Sequence, residues 1–355
     1  MTQRKKIILV LVYVVATVQL VWCYLWLTRP YVSTLLYEQG RERMPFQGRV
    51  LMMLPMRWAH QSGILMWAAG SFAKSHFWFP KPVAPEVLAQ AVIDVSCLLL
   101  TGYLTAKIYQ ACSMRRLLTP MVYPLLLVVC GATYVLHTVQ NFRFLYDLPS
   151  LTFFAAAMYL MYFRWHWIYF AGLFVLATIN RETTLLLLPL YMLNGAVQGG
   201  RLRWPLMLRA RTLKVVVPLA AVWGAWQIFV RHLFAQNASE FYSRINWNVK
   251  SLVVPQAWPQ LLSACGYLLL FVVVTRRRIH DPQLRAWLSL LPVWFVFMFV
   301  YGILIETRVF GELIPFIVCA TTLIVEELLL ARMAKAGRTA ALEMTGHPVG
   351  VREAA

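Results

Sequence analysis

Residues 7–27, IILVLVYVVATVQLVWCYLWL, contain no charged side chain and follow the basic triplet Arg4, Lys5 and Lys6. A run of that length crosses a bilayer as a helix, which takes about 20 apolar residues. Inside hydrocarbon the backbone must satisfy its own polar groups, so a chain made of such runs is restricted to helices or a closed barrel. The runs here are continuous instead of alternating, which selects helices. The expected fold is therefore all-α, a polytopic transmembrane bundle. The first run is too long for a signal-peptide core and lacks a small-residue cleavage site, so it is expected to stay as the first span.

Composition agrees with that reading. Of 355 residues, 60% are hydrophobic and 13% charged, against roughly a quarter charged in soluble domains. The formal net charge is +19, but the basic residues sit in short clusters between apolar runs, as in loops that set topology. That pattern argues against a nucleic-acid partner. The six cysteines, Cys23, Cys97, Cys112, Cys130, Cys265 and Cys319, lie in or beside apolar runs without paired spacing, and read as small packing residues instead of disulfides or a metal site.

Further runs fall at 87–109, 117–136 and 148–163, and residues 28–85 form a long loop before them. The stretch VLMMLPMRWAHQSGILMWAAGSFAKSHFWF in that loop is apolar but interrupted, which suits helices lying along the membrane surface or a re-entrant hairpin. Residues 167–194 decide the topology. As one span they would export the loop that holds Arg201, Arg203, Arg209, Arg211 and Lys214, against the positive-inside bias. As two short helices, 167–179 and 183–197, turning at Asn180, Arg181 and Glu182, they keep that loop inside. Asn suits such a turn both as a left-handed helix end and as an N-cap. With runs at 215–234, 257–274, 287–305 and 310–330, about ten spans result, both termini are cytoplasmic, and residues 336–355 form a polar tail. One transmembrane domain, 1–335, is expected.

This topology collects the unusual polar residues on the outer face: Glu38, Arg41, Glu42 and Arg49 in the first loop, Asp147 before a span, Arg181 and Glu182 in the turn, and Glu306, Arg308 and Glu312 before the last span. Asp147, two residues before Pro149, reads as a helix cap or as a carboxylate held at the boundary for acid–base work. Glu306 reads as the ion-pair partner of Arg308 or Arg181. The arginines suit a lipid phosphate. Glu38 and Glu42 read as solvated loop charges or as site carboxylates. His60, His76 and His137 have no metal-ligand spacing, and no phosphate-binding glycine loop or nucleophile motif is present.

The long acidic first loop, the YDLPSLTFF segment and the charged short hairpin in ATINRETTLLLLPL together resemble the GT-C-type membrane glycosyltransferases. The resemblance is loose and covers roughly residues 1–194. It implies a sugar moved from a polyprenyl-phosphate carrier to an acceptor on the non-cytoplasmic face. The short basic loops fit a bacterial inner membrane, with an endoplasmic-reticulum protein as the alternative. It implies Glu38 or Glu42 as the acid that activates the acceptor, Asp147 as a second acidic position, and Arg181 or Arg308 on the carrier phosphate, with Arg49, Glu182 and Glu306 beside them. The family often carries an aspartate motif in its first loop, where this chain has only glutamates. A divalent cation is compatible with the carboxylates but demanded by no spacing. The expected partners are a lipid-linked sugar donor and membrane lipids. Two other readings are a lipid or glycan transporter or flippase, for which Asp94 is the one clear mid-span acid, and a non-catalytic subunit of an envelope-assembly complex.

Overall fold

The computed structural model describes residues 3–74, 83–136 and 142–344. His76, His137 and the far end of the polar tail lie outside them. The described chain is mostly helical: α1 Gln3–Leu27, α2 Thr34–Glu38, α3 Met53–Gln61, α4 Gly63–Lys74, α5 Pro85–Cys112, α6 Thr119–Cys130, α7 Asp147–Tyr162, α8 Trp167–Asn180, α9 Leu187–Gly195, α10 Ala210–Leu233, α11 Ile245–Val253, α12 Trp258–Leu262, α13 Leu268–Thr275, α14 Pro282–Trp287, α15 Leu290–Tyr301 and α16 Ile314–Met344. Two-residue strands pair β1 Arg29–Pro30 in parallel with β2 Phe142–Arg143, and β3 Val197–Gln198 antiparallel with β4 Arg201–Leu202.

Among the described residues, five stretches are long and apolar enough to cross a membrane: Gln3–Leu27, Pro85–Cys112, Ala210–Leu233, Pro282–Tyr301 and Thr307–Ala336. The middle of the bundle is α7. Leu148, Leu151, Phe154, Ala155, Met158 and Met161 are all buried, and a helix apolar on every side belongs inside a bundle. Around it lie α5, α8, α9 and α16.

The chain folds back between α8 and α9. Phe170 stacks on Tyr191 at 4.7 Å between ring centroids, and Asn194 Nδ2 donates to the Met161 carbonyl at 3.2 Å. The far end of α9 thus returns to the far end of α7. The turn differs in detail from the capped turn expected. Asn180 stays helical, and its buried side chain donates to the Tyr146 carbonyl and to Ser150 Oγ at 3.2 and 2.8 Å. The break falls at Arg181, whose backbone is extended (φ −161°, ψ 143°), and Glu182–Leu186 continues as a 3₁₀ turn.

The expected span at 257–274 is also interrupted. Cys265, Gly266 and Tyr267 have φ of 52°, 63° and 65°, a left-handed step that costs a non-glycine residue about 1–2 kcal/mol. It separates α12 from α13. Cys265 is fully buried there, and its thiol donates to the Phe310 carbonyl at 3.5 Å. Residues 287–305 begin earlier than expected, at α14, which Asp281 caps by accepting from the Leu284 N–H at 2.7 Å.

The bundle has two unlike ends. At one, Ser113 donates to Glu326 at 2.6 Å, Tyr13 donates to the Pro120 carbonyl, Tyr162 donates to Asp281, His280 pairs with Glu327 and β4 packs on α14, so the basic connections next to these residues share that end. At the other, α7 begins at Asp147 and α16 begins beside Glu312. The helices α2, α3 and α4 of the first loop lie at this second end, with Leu54, Trp58, Ile64 and Trp67 exposed.

Gly102 of α5 lets α6 approach closely, because a Cβ there would stand 1.9 Å from the Tyr123 ring. Gly102→Ala is expected to cost about 1–3 kcal/mol by overpacking, seen as a lower thermal midpoint in detergent. Gly102→Ala combined with Tyr123→Leu should recover part of it.

Candidate functional site

The extended backbone at Arg181 turns its side chain back into the bundle. There Nη1 lies 3.2 Å from Asp147 Oδ1 and 3.2 Å from Glu312 Oε1. Thr183, two residues on, donates to Glu312 at 2.7 Å. Arg181 thereby links the start of α7 to the turn that leads into α16. Asp147 and Glu312 are each 1% exposed, so removing their common partner would leave charge without compensation.

Two more arginines flank this pair. Arg308 bonds Glu306 closely, stands 3.8 Å from Asp147 Oδ2, and lies 3.9 Å above the Phe144 ring. Arg49 grips Glu182 with two nitrogens, Nε at 2.9 Å and Nη2 closer, while its guanidinium sits 4.2 Å above the Tyr146 ring. Such two-point guanidinium–carboxylate contacts are strong and directional. Three arginines thus face four carboxylates, Asp147, Glu182, Glu306 and Glu312. Of the eight residues to which the resemblance gives a place in the site, six meet here, Asp147, Arg49, Arg181, Glu182, Glu306 and Arg308, together with Glu312.

Glu38 and Glu42 stand elsewhere. Glu42 accepts from the Ser33 and Arg43 backbone N–H groups at 2.8 and 3.0 Å and from Arg43 Nε at 3.2 Å. The Arg43 guanidinium also bonds Glu240, which accepts from the Tyr31 hydroxyl at 3.2 Å. Glu42 therefore bears on Glu240 through Arg43. Glu38 pairs with His60 at 3.1 Å, and the same His60 nitrogen lies 3.6 Å from Glu86 on α5. Asp94 is buried on α5 in the electrostatic neighbourhood of Asp147 and Arg143, closer to the cluster's level than a mid-span position suggests.

Beside the cluster opens a cavity of about 430 Å³, within the usual range for small-molecule sites. Arg49, Arg181, Arg231, Arg244 and Arg308 line it, with Glu182, Glu240 and Glu306 and with aromatic walls that include Tyr31, Phe46, Phe144, Trp223, Phe241, Tyr242 and Tyr301. Asp147, Glu38, Glu42 and Glu312 are not in its lining. A neighbouring cavity of about 240 Å³ shares Arg49, Glu182, Gln227, Arg231 and Phe241. Arg231 and Arg244 form no ion pair among the described residues; Arg231 lies 4.7 Å from the Phe241 ring and Arg244 rests on Tyr242 at 3.8 Å. They are the guanidiniums available to an anion.

Arg231, Arg244 and Glu240 were not picked out from sequence. A signal existed: under the expected topology the run 215–234 would lead outward and set Arg231 on the side that the positive-inside bias depletes of arginine. Among the described residues no three His, Cys, Asp or Glu side chains converge as a metal set, and the cluster carboxylates are each engaged by arginine. Asp147 Oδ2 and Glu312 Oε2 are nevertheless buried without a hydrogen-bond partner among the described residues. Comparison of the chain with family models, curated proteins and solved structures finds no match.

Arg181→Met is expected to destabilise the fold by about 3–5 kcal/mol, and Arg181→Met with Glu312→Gln should restore part of the lost thermal midpoint. Equal midpoints for wild type and Arg181→Met would show that the pairing carries no weight.

Burial raises the Glu38 carboxyl above its usual range; His60 opposes this, Glu86 adds to it, and Arg57 opposes it more weakly. Protonation therefore favours the folded corner. Its stabilisation is full below the ordinary carboxylate range and is lost as pH rises through the raised value. Hydrogen exchange in α3, corrected for intrinsic rates, should show more protection at acid than at neutral pH, and Glu38→Gln should flatten that dependence.

Proposed function

We propose that the protein is a GT-C-type membrane glycosyltransferase that moves a sugar from a polyprenyl-phosphate carrier to an acceptor hydroxyl. In this reading the chain crosses the membrane about ten times, counting the short helices α8 and α9 as separate crossings. The basic end faces the cytoplasm and the cavity faces the opposite side.

One observation carries the proposal. At the end of the bundle away from the basic loops, a cavity combines Arg231 and Arg244, two arginines without ion pairs among the described residues, with carboxylates and aromatic walls. Arginine supplies the planar donors that a phosphate takes. Aromatic faces suit the apolar side of a sugar ring or the first isoprene units. Of the lining carboxylates, Glu182 has both oxygens on Arg49 and Glu306 is the less exposed, at 9% of its side chain against 23% for Glu240.

Glu240 is thus assigned to acceptor activation. Its carboxylate takes the acceptor hydroxyl proton while the acceptor oxygen forms a bond to the anomeric carbon. The bond from that carbon to the carrier phosphate breaks, and the phosphate leaves with both electrons. Arg231 and Arg244 hold the departing charge, an electrostatic contribution usually worth about 10²–10³ in rate. Arg43, shared by Glu42 and Glu240, positions the base. Asp147 acts further back, as the carboxylate that holds Arg181 and Arg308 in place.

The test is transfer of a radiolabelled sugar from a polyprenyl-phosphate donor by the purified protein. Glu240→Gln should lose about 10²–10⁴-fold in rate with donor binding retained. Arg231→Gln with Arg244→Gln should weaken donor binding about tenfold or more. Glu42→Gln should have a smaller effect on rate than Glu240→Gln. Movement of intact lipid-linked sugar across liposomes without bond cleavage would replace this reading with a transporter.

A further inference from the structure

Away from the cluster, a second recess of about 330 Å³ lies between α13 and α15. Val273, Leu291, Trp294, Phe295 and Phe310 supply apolar walls, and the one polar lining residue is Arg276. Its origin is visible in the chain. The left-handed step at Cys265, Gly266 and Tyr267 separates α13 from α12, and α13 packs on α16 instead of closing against α15. Phe295 and Val273 remain 43% and 39% exposed, so the recess is open to its surroundings along the side of the bundle.

We infer that this recess is a binding site for an anionic phospholipid, with one acyl chain between α13 and α15 and the phosphate on Arg276. The argument is charge complementarity at one end of an apolar slot. Arg276, Arg277 and Arg278 form a single turn at its mouth and make no ion pair among the described residues. Asp281, three residues on from Arg278, caps α14 and accepts from Tyr162, and Glu327 pairs with His280 at 2.7 Å. In a bilayer an apolar surface gains little from covering itself with lipid, since lipid chains are as apolar as the protein. Selectivity for one lipid must then come from shape and headgroup charge, and both are present. Phe310 in its lining adjoins Val309 of the arginine-lined cavity, but Arg276 and the apolar walls have no part in the glycosyltransferase reading, so the inference does not rest on it.

The probes are dioleoyl phosphatidylglycerol, phosphatidylcholine with the same chains, and a long-chain prenyl monophosphate. Native mass spectrometry of the purified protein should show phosphatidylglycerol retained over phosphatidylcholine by on the order of tenfold, the preference a few surface arginines produce. Arg276→Gln with Arg277→Gln and Arg278→Gln should abolish the preference. Leu291→Trp, which fills the slot, should remove the retained lipid while the thermal midpoint is kept. As a check without substitutions, wild type in nanodiscs should show slower hydrogen exchange over residues 268–278 in phosphatidylglycerol than in phosphatidylcholine. Equal retention of the two phospholipids, retention unchanged by the arginine or Leu291 variants, or unchanged exchange would overturn the inference. Stronger arginine-dependent retention of the prenyl monophosphate would overturn the phospholipid assignment.

Discussion

A guanidinium that is 6% exposed inside a helical bundle must be neutralised, and Arg181 is neutralised by carboxylates from two distant parts of the chain, Asp147 and Glu312. Much of the architecture follows from that requirement. Desolvating three such groups costs several kcal/mol each unless geometry and hydrogen bonds compensate. The compensation is supplied by the start of α7, by the Thr183 hydroxyl and by the turn into α16. The hairpin of α8 and α9 has to stop where it does because a longer α8 would carry Arg181 past both partners.

Outward from this pair the charges change character. Arg308 and Arg49 are also paired, but their guanidiniums face aromatic rings and the cavity. Beyond them Arg231 and Arg244 have aromatic neighbours without ion pairs among the described residues. This gradation, from closed pairs to open cations, separates residues that hold the site from residues that can meet a ligand. It also divides the carboxylates: Asp147 and Glu312 pair with arginine within the bundle, while Glu182, Glu240 and Glu306 line the cavity. The first-loop acid Glu42 stands between the two classes, because it bears on the cavity only through Arg43.

Much of the helical character was legible in the sequence, since continuous apolar runs admit few structures in hydrocarbon. The fold-back at Arg181 was legible from the distribution of basic loops, and it drew Asp147, Glu182, Glu306 and Arg308 into one neighbourhood. The local chemistry of the turn was not. Asn180, expected to end or begin a helix, instead bonds across to Tyr146 and Ser150, because a tertiary partner outweighs a local capping preference. The left-handed step at Cys265 left only Gly266 as a signal, since neither Cys265 nor Tyr267 favours that conformation. Arg231 and Arg244 carried a faint signal, since the expected topology sets them on the side where the charge bias disfavours arginine.

Hydrophobicity and charge act on each segment wherever it lies along the chain, so the sequence by itself determined that this is a helical, membrane-type chain with its basic loops at one end and a set of unusual charges at the other. Which carboxylate takes which arginine was decided only by the tertiary structure. A guanidinium reaches only a few ångströms, and the partners of Arg181, Arg49 and Arg43 come from residues more than 30, 130 and 190 positions away. No spacing along the chain encodes those distances; the packing of α7, the α8–α9 turn and the approach to α16 creates them.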